Sequence, residues 1–279
     1  MHLLLHATTC LLLYALVRRI LPRPEDRFTA AASALIAAFS PAVAGAVPLR
    51  DIGMALLLIA ALRSAMWPGA AMWTSLAFLA GALWCQRLAV GAVVYLPAVW
   101  LRFPDTRAGF RRGTILGLSF ALLSGLFILY WALGSPSDGS LAIPTLGGYL
   151  RSLPEAPVQW LQTLKTLVWP AGPEPAAFSP LAIAVGLAAM FGWMGYAVSI
   201  VRPKPFLSTS MSWVIVAFFP SSTVFPFDTA AAGRYPYLAS LGVAMILAWA
   251  LSRIPDRRLR FPALAAICVW RAALAVLTP

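Results

Sequence analysis

Apolar runs follow one another along this chain, each broken by a short polar stretch carrying Arg, Pro or Gly. Runs approaching the roughly 20 residues that cross a hydrocarbon core, with polar residues confined to the breaks, predict membrane helices, not amphipathic helices of a soluble core. The pattern predicts spans over 2–20, 28–48, 52–66, 69–84, 88–101, 114–133, 179–201, 211–225, 236–251 and 261–277. Trp67-Pro68 marks a hairpin between the third and fourth of these. The stretch 134–178, rich in Gly, Pro and Ser, is the longest without a span. Within it, residues 158–169 place Trp160, Leu161, Leu164, Leu167 and Val168 on one helical face and Gln159, Gln162 and Thr166 elsewhere. That is the signature of a helix lying in the interface, with a re-entrant segment as the alternative. The fold class is an all-α, polytopic transmembrane helix bundle of about ten spans plus this interfacial helix, one integral membrane domain over 1–279.

Charge orders the spans. A single alternation puts fourteen of the 21 Lys and Arg residues on one side: four in 18–27, four in 102–112, two at 202–204 and four in 253–260. By the positive-inside rule that side is cytoplasmic. Five basic residues, Arg50, Arg87, Arg151, Lys165 and Arg234, fall on the outer side, while Arg63 and Arg271 lie within spans. In the first span the positive charge follows the apolar stretch, so a retained helix is predicted, not a cleaved leader.

Composition narrows the class. Hydrophobic residues make up 61% of the 279 and charged residues 11%, far below the roughly 25% charged of soluble domains. A net charge of +12 would suit nucleic acid, but its short clusters between apolar runs read as topology signals and contacts to anionic lipid, so no nucleic-acid partner is expected. Cys10, Cys85 and Cys268 lie far apart without CxxC spacing and read as packing residues. His2 and His6 stand at i and i+4 with no third ligand beside them, so no metal site is assigned. No GxSxG, Walker loop or HExxH is present. The expected location is an integral, multi-pass position in a bacterial inner membrane, from the Ala- and Arg-rich bias, though the charge pattern fits an endoplasmic reticulum equally.

Candidate chemistry gathers on the outer side. The stretch 219–251 joins two apolar runs through a loop carrying Asp228 and Arg234, then Tyr235 and Tyr237 at interfacial positions. With Arg50, Asp51, Gln86, Arg87, Lys165, His2 and His6, these residues line the end where a polar headgroup with an apolar tail could be held. Arginine forks suit phosphate or pyrophosphate there. Taken singly, each is also explained as a solvated loop residue or an interfacial anchor.

Several segments, in order, resemble the tetratricopeptide-repeat-linked transmembrane O-mannosyltransferase family of the C-type glycosyltransferase superfamily. LLHATTCLLLYALVRR resembles the start of the family's second helix. IAAFSPAVAGAV resembles its alanine-leucine-His-Pro segment, and Arg50-Asp51 its basic-Asp pair. WCQRLAV with YLPAVWL resembles its Ser-Lys-Glu-x-Ala-Val and following Leu-Pro, and LQTLKTLVWPAGPEPAAFSPL its interfacial helix and Pro-rich loop. FFPSSTVFPF through GRYPYLASLGV resembles its Pro-Asn-x-x-Pro and Asp-Arg-Tyr-x-Tyr-Leu-Pro-Ser-x-Gly.

The resemblance implies a membrane enzyme that takes a polyprenyl-phosphate-linked sugar and transfers the hexosyl or mannosyl group, on the periplasmic or lumenal side, to a protein or glycan acceptor. It implies lipid-phosphate or substrate binding by Arg234, Tyr235, Tyr237, Arg50, Arg87, Lys165 and His6, and Asp51 as the candidate catalytic carboxylate. No cofactor is expected, although a divalent metal is possible in the family. The chain departs from the family pattern in ways that bear on chemistry. It begins at the family's second helix, without the first acidic loop; His-Pro-x-His-x-Glu becomes Ser40, Pro41, Val43 and Gly45; Lys-Glu becomes Gln86-Arg87; and Gly233 replaces the Asp before the Arg-Tyr element. The alternative expectation is therefore a catalytically inactive membrane protein, binding or moving an anionic lipid or serving as a complex subunit.

Overall fold

The computed structural model describes residues 1–40, 49–66, 73–85, 89, 107–134, 156–168, 179–201, 203–218 and 236–277. Ten α-helices and one 3-10 turn, with no strand, form the regular structure of these described residues. They are α1 (His2–Ile20), the 3-10 turn Pro24–Asp26, α2 (Arg27–Ala38), α3 (Leu49–Ala65), α4 (Thr74–Cys85), α5 (Arg107–Gly134), α6 (Ala156–Val168), α7 (Pro180–Ser199), α8 (Pro205–Phe218), α9 (Pro236–Ser252) and α10 (Arg257–Leu277).

Local signals set several boundaries. Ser179 caps α7 by accepting a hydrogen bond from the Ala182 amide at 3.1 Å, with Pro180 in the first turn, where its missing N–H costs nothing. Asp256 accepts from the Arg258 amide at 2.8 Å and opens α10. Arg18 and Arg19 close α1 against the partial negative charge of its last carbonyls.

Three helices are long and apolar enough to cross a bilayer: α1, the Gly113–Tyr130 part of α5, and α7. The others do not reach that standard. Helices α2 and α4 have 12 residues each, about 18 Å at 1.5 Å per residue against a hydrocarbon core of about 30 Å. The sequence expectation of ten spans counts apolar runs, and continuous helix need not follow a run to its end. Thus α2 ends at Ala38 inside the expected 28–48 span, where the Phe39 amide bonds back to the Leu35 carbonyl. Conversely, α5, α8 and α10 begin at Arg107, Pro205 and Arg257, earlier than the apolar runs do, because Arg is a good helix former and Pro is at home in a first turn. Apart from Ala89, the expected span over 88–101 lies outside the described residues, as does the loop 219–235.

The main core joins α1, α2, α3 and α9 around Leu13, Leu16, Ile36, Leu58, Leu241 and Met245. Many core positions are Ala, among them Ala30, Ala37, Ala55, Ala61, Ala244 and Ala248, which lets helix backbones approach closely. A Cβ on Gly53 would meet Cys85 and one on Gly81 would meet Leu57, the register of an antiparallel hairpin between α3 and α4. At Gly242 of α9 a Cβ would lie 2.8 Å from Val214 and 3.2 Å from the Ser210 carbonyl, so α8 and α9 meet nearly backbone to backbone. A smaller cluster seats α6: Trp160 is buried against Ile215 and meets Trp193 edge-on at 5.9 Å. Leu161 and Leu164, on the face expected to be apolar, pack there too.

Several helix hydroxyls bond within their own turns, whereas Ser208 of α8 donates across to the Ala197 carbonyl of α7 at 2.7 Å. Thr9 donates to the Leu5 carbonyl, Ser33 to Thr29 and Ser210 to Phe206, each at 2.8 Å. Large apolar side chains face outward instead: Ile115, Leu118, Leu122, Leu126 and Leu129 on α5, and Leu181, Val185, Phe191, Met194 and Val198 on α7. Such stripes at helical spacing match a lipid-facing surface.

Contacts also sort the helix ends. At one end, Arg19 donates to the Met66 carbonyl after α3 at 3.2 Å. Phe28 of α2 meets Phe261 of α10 edge-on at 5.6 Å with the Arg260 guanidinium over its ring, and Lys204 and Arg253 both cover Trp249. The basic groups of 18–27, 204 and 253–260 therefore share one end of the bundle. At the opposite end lie the beginnings of α1 and α9 and the ends of α2 and α10.

Candidate functional site

At that opposite end, four helix termini bring their polar side chains together. His6, one turn into α1, is buried, and its Nδ1 lies 2.9 Å from the Tyr237 hydroxyl at the start of α9. Its Nε2 lies 3.2 Å from the Ala38 carbonyl at the end of α2. A carbonyl only accepts, so Nε2 carries a proton and, in the neutral imidazole, Nδ1 accepts from the phenol. The two rings meet edge-on at 5.7 Å, and Thr9 and Cys10 complete the buried surround. Both imidazole nitrogens are thus engaged within the protein, and the pair clasps α1, α2 and α9.

A second chain of bonds continues from this clasp. Ser40, just past α2, donates to the Ser240 hydroxyl of α9 at 2.9 Å, and Ser240 donates to the Tyr237 carbonyl at 2.7 Å. Arg271 of α10 donates through Nη2 to the Ser40 hydroxyl at 3.2 Å. Its side chain is 1% exposed, and its Nε and Nη1 have no hydrogen-bond partner among the described residues. The cation is charged at any physiological pH, and here it is met by one neutral hydroxyl.

No family model, curated protein or solved structure matches the chain. The site therefore rests on its own geometry. Of the residues singled out in the sequence, His6 and Tyr237 are brought together across 231 positions. Asp51 sits in the first turn of α3, 3% exposed, where the helix N-terminus favours a carboxylate; Arg50 beside it faces out. The α3–α4 hairpin register sets the Asp51 end of α3 beside Cys85, the end of α4. Lys165 lies on α6, but its side chain is outside the described residues, as are Arg87, Asp228, Arg234 and Tyr235. Among the described residues no group of three or more His, Cys, Asp or Glu gathers to hold a metal.

Sequence reasoning missed Arg271, Ser40 and Ser240 as site residues. One signal was present: an ionisable residue inside a membrane span is a functional candidate by default, and Arg271 is the sole charge after Arg260 in the last apolar run. Ser40 was read only as the loss of a histidine, and Ser240 as one residue of a family pattern.

Proposed function

We propose that the chain is a multi-pass integral membrane protein of about ten fully or partly crossing helices, with a C-type glycosyltransferase-like fold, that handles a polyprenyl-phosphate-linked sugar. The basic end of the bundle faces the cytoplasm by the positive-inside rule, which turns the His6–Tyr237 end to the periplasmic or lumenal side. The observation that carries the reading is the His6–Tyr237 bond. Two positions that a family resemblance selects independently, 231 residues apart, meet at 2.9 Å. Around them a buried arginine, two serine hydroxyls and an apolar exterior give the chemistry that a phosphate on a long isoprenoid needs. In this reading Asp51 is the general base toward an acceptor hydroxyl, and the outer cations Arg50, Arg87, Lys165 and Arg234 stabilise the departing lipid phosphate.

The test is transfer of a labelled hexose from a polyprenyl-phosphate donor to peptide or glycan acceptors by the protein in lipid nanodiscs. Transfer that falls at least about 100-fold in Asp51→Asn is the expected result for a general base; no transfer from any such donor overturns the enzymatic reading. A second reading has its own observation. His6 has no free nitrogen, and the histidines and glutamate of the family's His-Pro-x-His-x-Glu element are Ser40, Val43 and Gly45 here, which favours a protein that binds the lipid without turning it over. Retained binding of polyprenyl phosphate without transfer selects that one.

A further inference from the structure

We propose that Arg271 is the seat of a phosphate group, held through the Nε and Nη1 hydrogens that no described residue answers. The assignment rests on the lipid-phosphate part of the reading above and is independent of sugar transfer. Burying a guanidinium removes its hydration, and a single bond to a serine hydroxyl does not replace that loss. A buried cation is maintained where an anion or several acceptors complete it. Among the described residues the only acceptor that Arg271 reaches is Ser40.

The hydroxyl relay decides what can complete the site. Ser40 gives its proton to Ser240, and Ser240 gives its own to the Tyr237 carbonyl. With both hydrogens committed, Ser40 can meet Arg271 only as an acceptor, which fixes the guanidinium by Nη2 and leaves its other nitrogens for a ligand. The ligand must therefore bring oxygen acceptors and negative charge, as a phosphate does.

Depth points to a lipid as the source. Arg271 is six residues before Leu277, the end of α10, about 9 Å along the helix axis at 1.5 Å per residue. Ser40 and Tyr237 sit at the same end, beside the terminus of α2 and in the first turn of α9. An anionic lipid headgroup at the membrane surface is within reach of that end of the bundle, its apolar tail remaining in the bilayer.

The experiment uses the full chain, stripped of lipid in detergent, and follows its thermal unfolding with added polyprenyl phosphate, the matching polyprenol or inorganic phosphate. Wild type is expected to gain several degrees with polyprenyl phosphate and nothing with the polyprenol. A gain with inorganic phosphate as well upholds the anion site and identifies a free anion as a sufficient ligand. Arg271→Met is expected to match or exceed wild type without ligand, since it removes a buried unpaired charge, and to lose the gain completely. Arg271→Lys keeps the charge without the planar fork and should weaken binding about 10-fold or more; it serves if the Met variant does not fold. The proposal falls if wild type responds to neither phosphate, or if either Arg271 variant responds as wild type does. Loss of transfer with binding intact would sink the enzymatic reading alone. Transfer that persists with an unaltered phosphate response in Arg271→Met would sink this assignment alone.

Discussion

The His6–Tyr237 bond is buried at both ends, so removing one partner strands the other. Tyr237→Phe keeps the ring contact and deletes only the hydroxyl that Nδ1 of His6 meets. It should cost about 1–3 kcal/mol, the usual penalty for orphaning a buried polar group, read as a lower midpoint in denaturant titrations of the detergent-solubilised protein. His6→Ala alone should cost at least as much, because the Ala38 carbonyl also loses its partner. The double variant decides whether the two act as a pair: a coupling energy of about 1 kcal/mol is expected, and additive losses would mean the bond contributes nothing. At this scale the sequence was half legible. A histidine near one helix start and a tyrosine near another stand out in a hydrophobic chain, and a family pattern names both. Ser40 did not stand out, because a lone serine in an apolar chain is ordinary, and the lone charge of Arg271 in its apolar run did not name the partner it meets 231 positions away.

Helix pairing depends on where side chains are absent. Gly242 brings α9 onto α8 so closely that an added Cβ would lie 3.0 Å or less from Val214 and Trp213. Trp213, whose indole donates to the Leu238 carbonyl at 2.9 Å, cannot give way without losing that bond. Gly242→Ala should therefore destabilise by about 1–3 kcal/mol, as overpacking does. Gly125 on α5 has nothing within 4 Å of the place an added methyl group would take, and Gly125→Ala should gain up to about 1 kcal/mol from the lower entropy of the unfolded chain. Thermal midpoints of the two variants, measured in one detergent, check both signs. The existence of most helices was readable from apolar runs, and so was the buried face of α6, where Gln and Thr interrupt the pattern. Helix ends were not. In a run that is apolar on all sides nothing marks where continuous helix stops, and α2 stops ten residues short of its expected end at 48.

For the molecule as a whole, charge carries the information that periodicity lacks. Basic groups from α1, α2, α9 and α10 meet at one end, and the polar network occupies the other, as an alternating thread demands. Cysteines placed in a cysteine-free background at His2 and at Asp256, both exposed, should react with a membrane-impermeant maleimide from opposite sides of intact cells. Labelling of His2→Cys from outside and of Asp256→Cys only after permeabilisation is the expected outcome; the reverse would turn the candidate site toward the cytoplasm. Long stretches of α5 and α7 leave apolar side chains facing outward, while Thr8 and Thr9 of α1 and Ser33 of α2 close onto their own turns. Those hydroxyls offer a polar solute no stepping stones along α1 and α2. A guest with a greasy tail would come to the four-helix corner sideways, gliding through the lipid with its head held at the surface, and would leave by the same road.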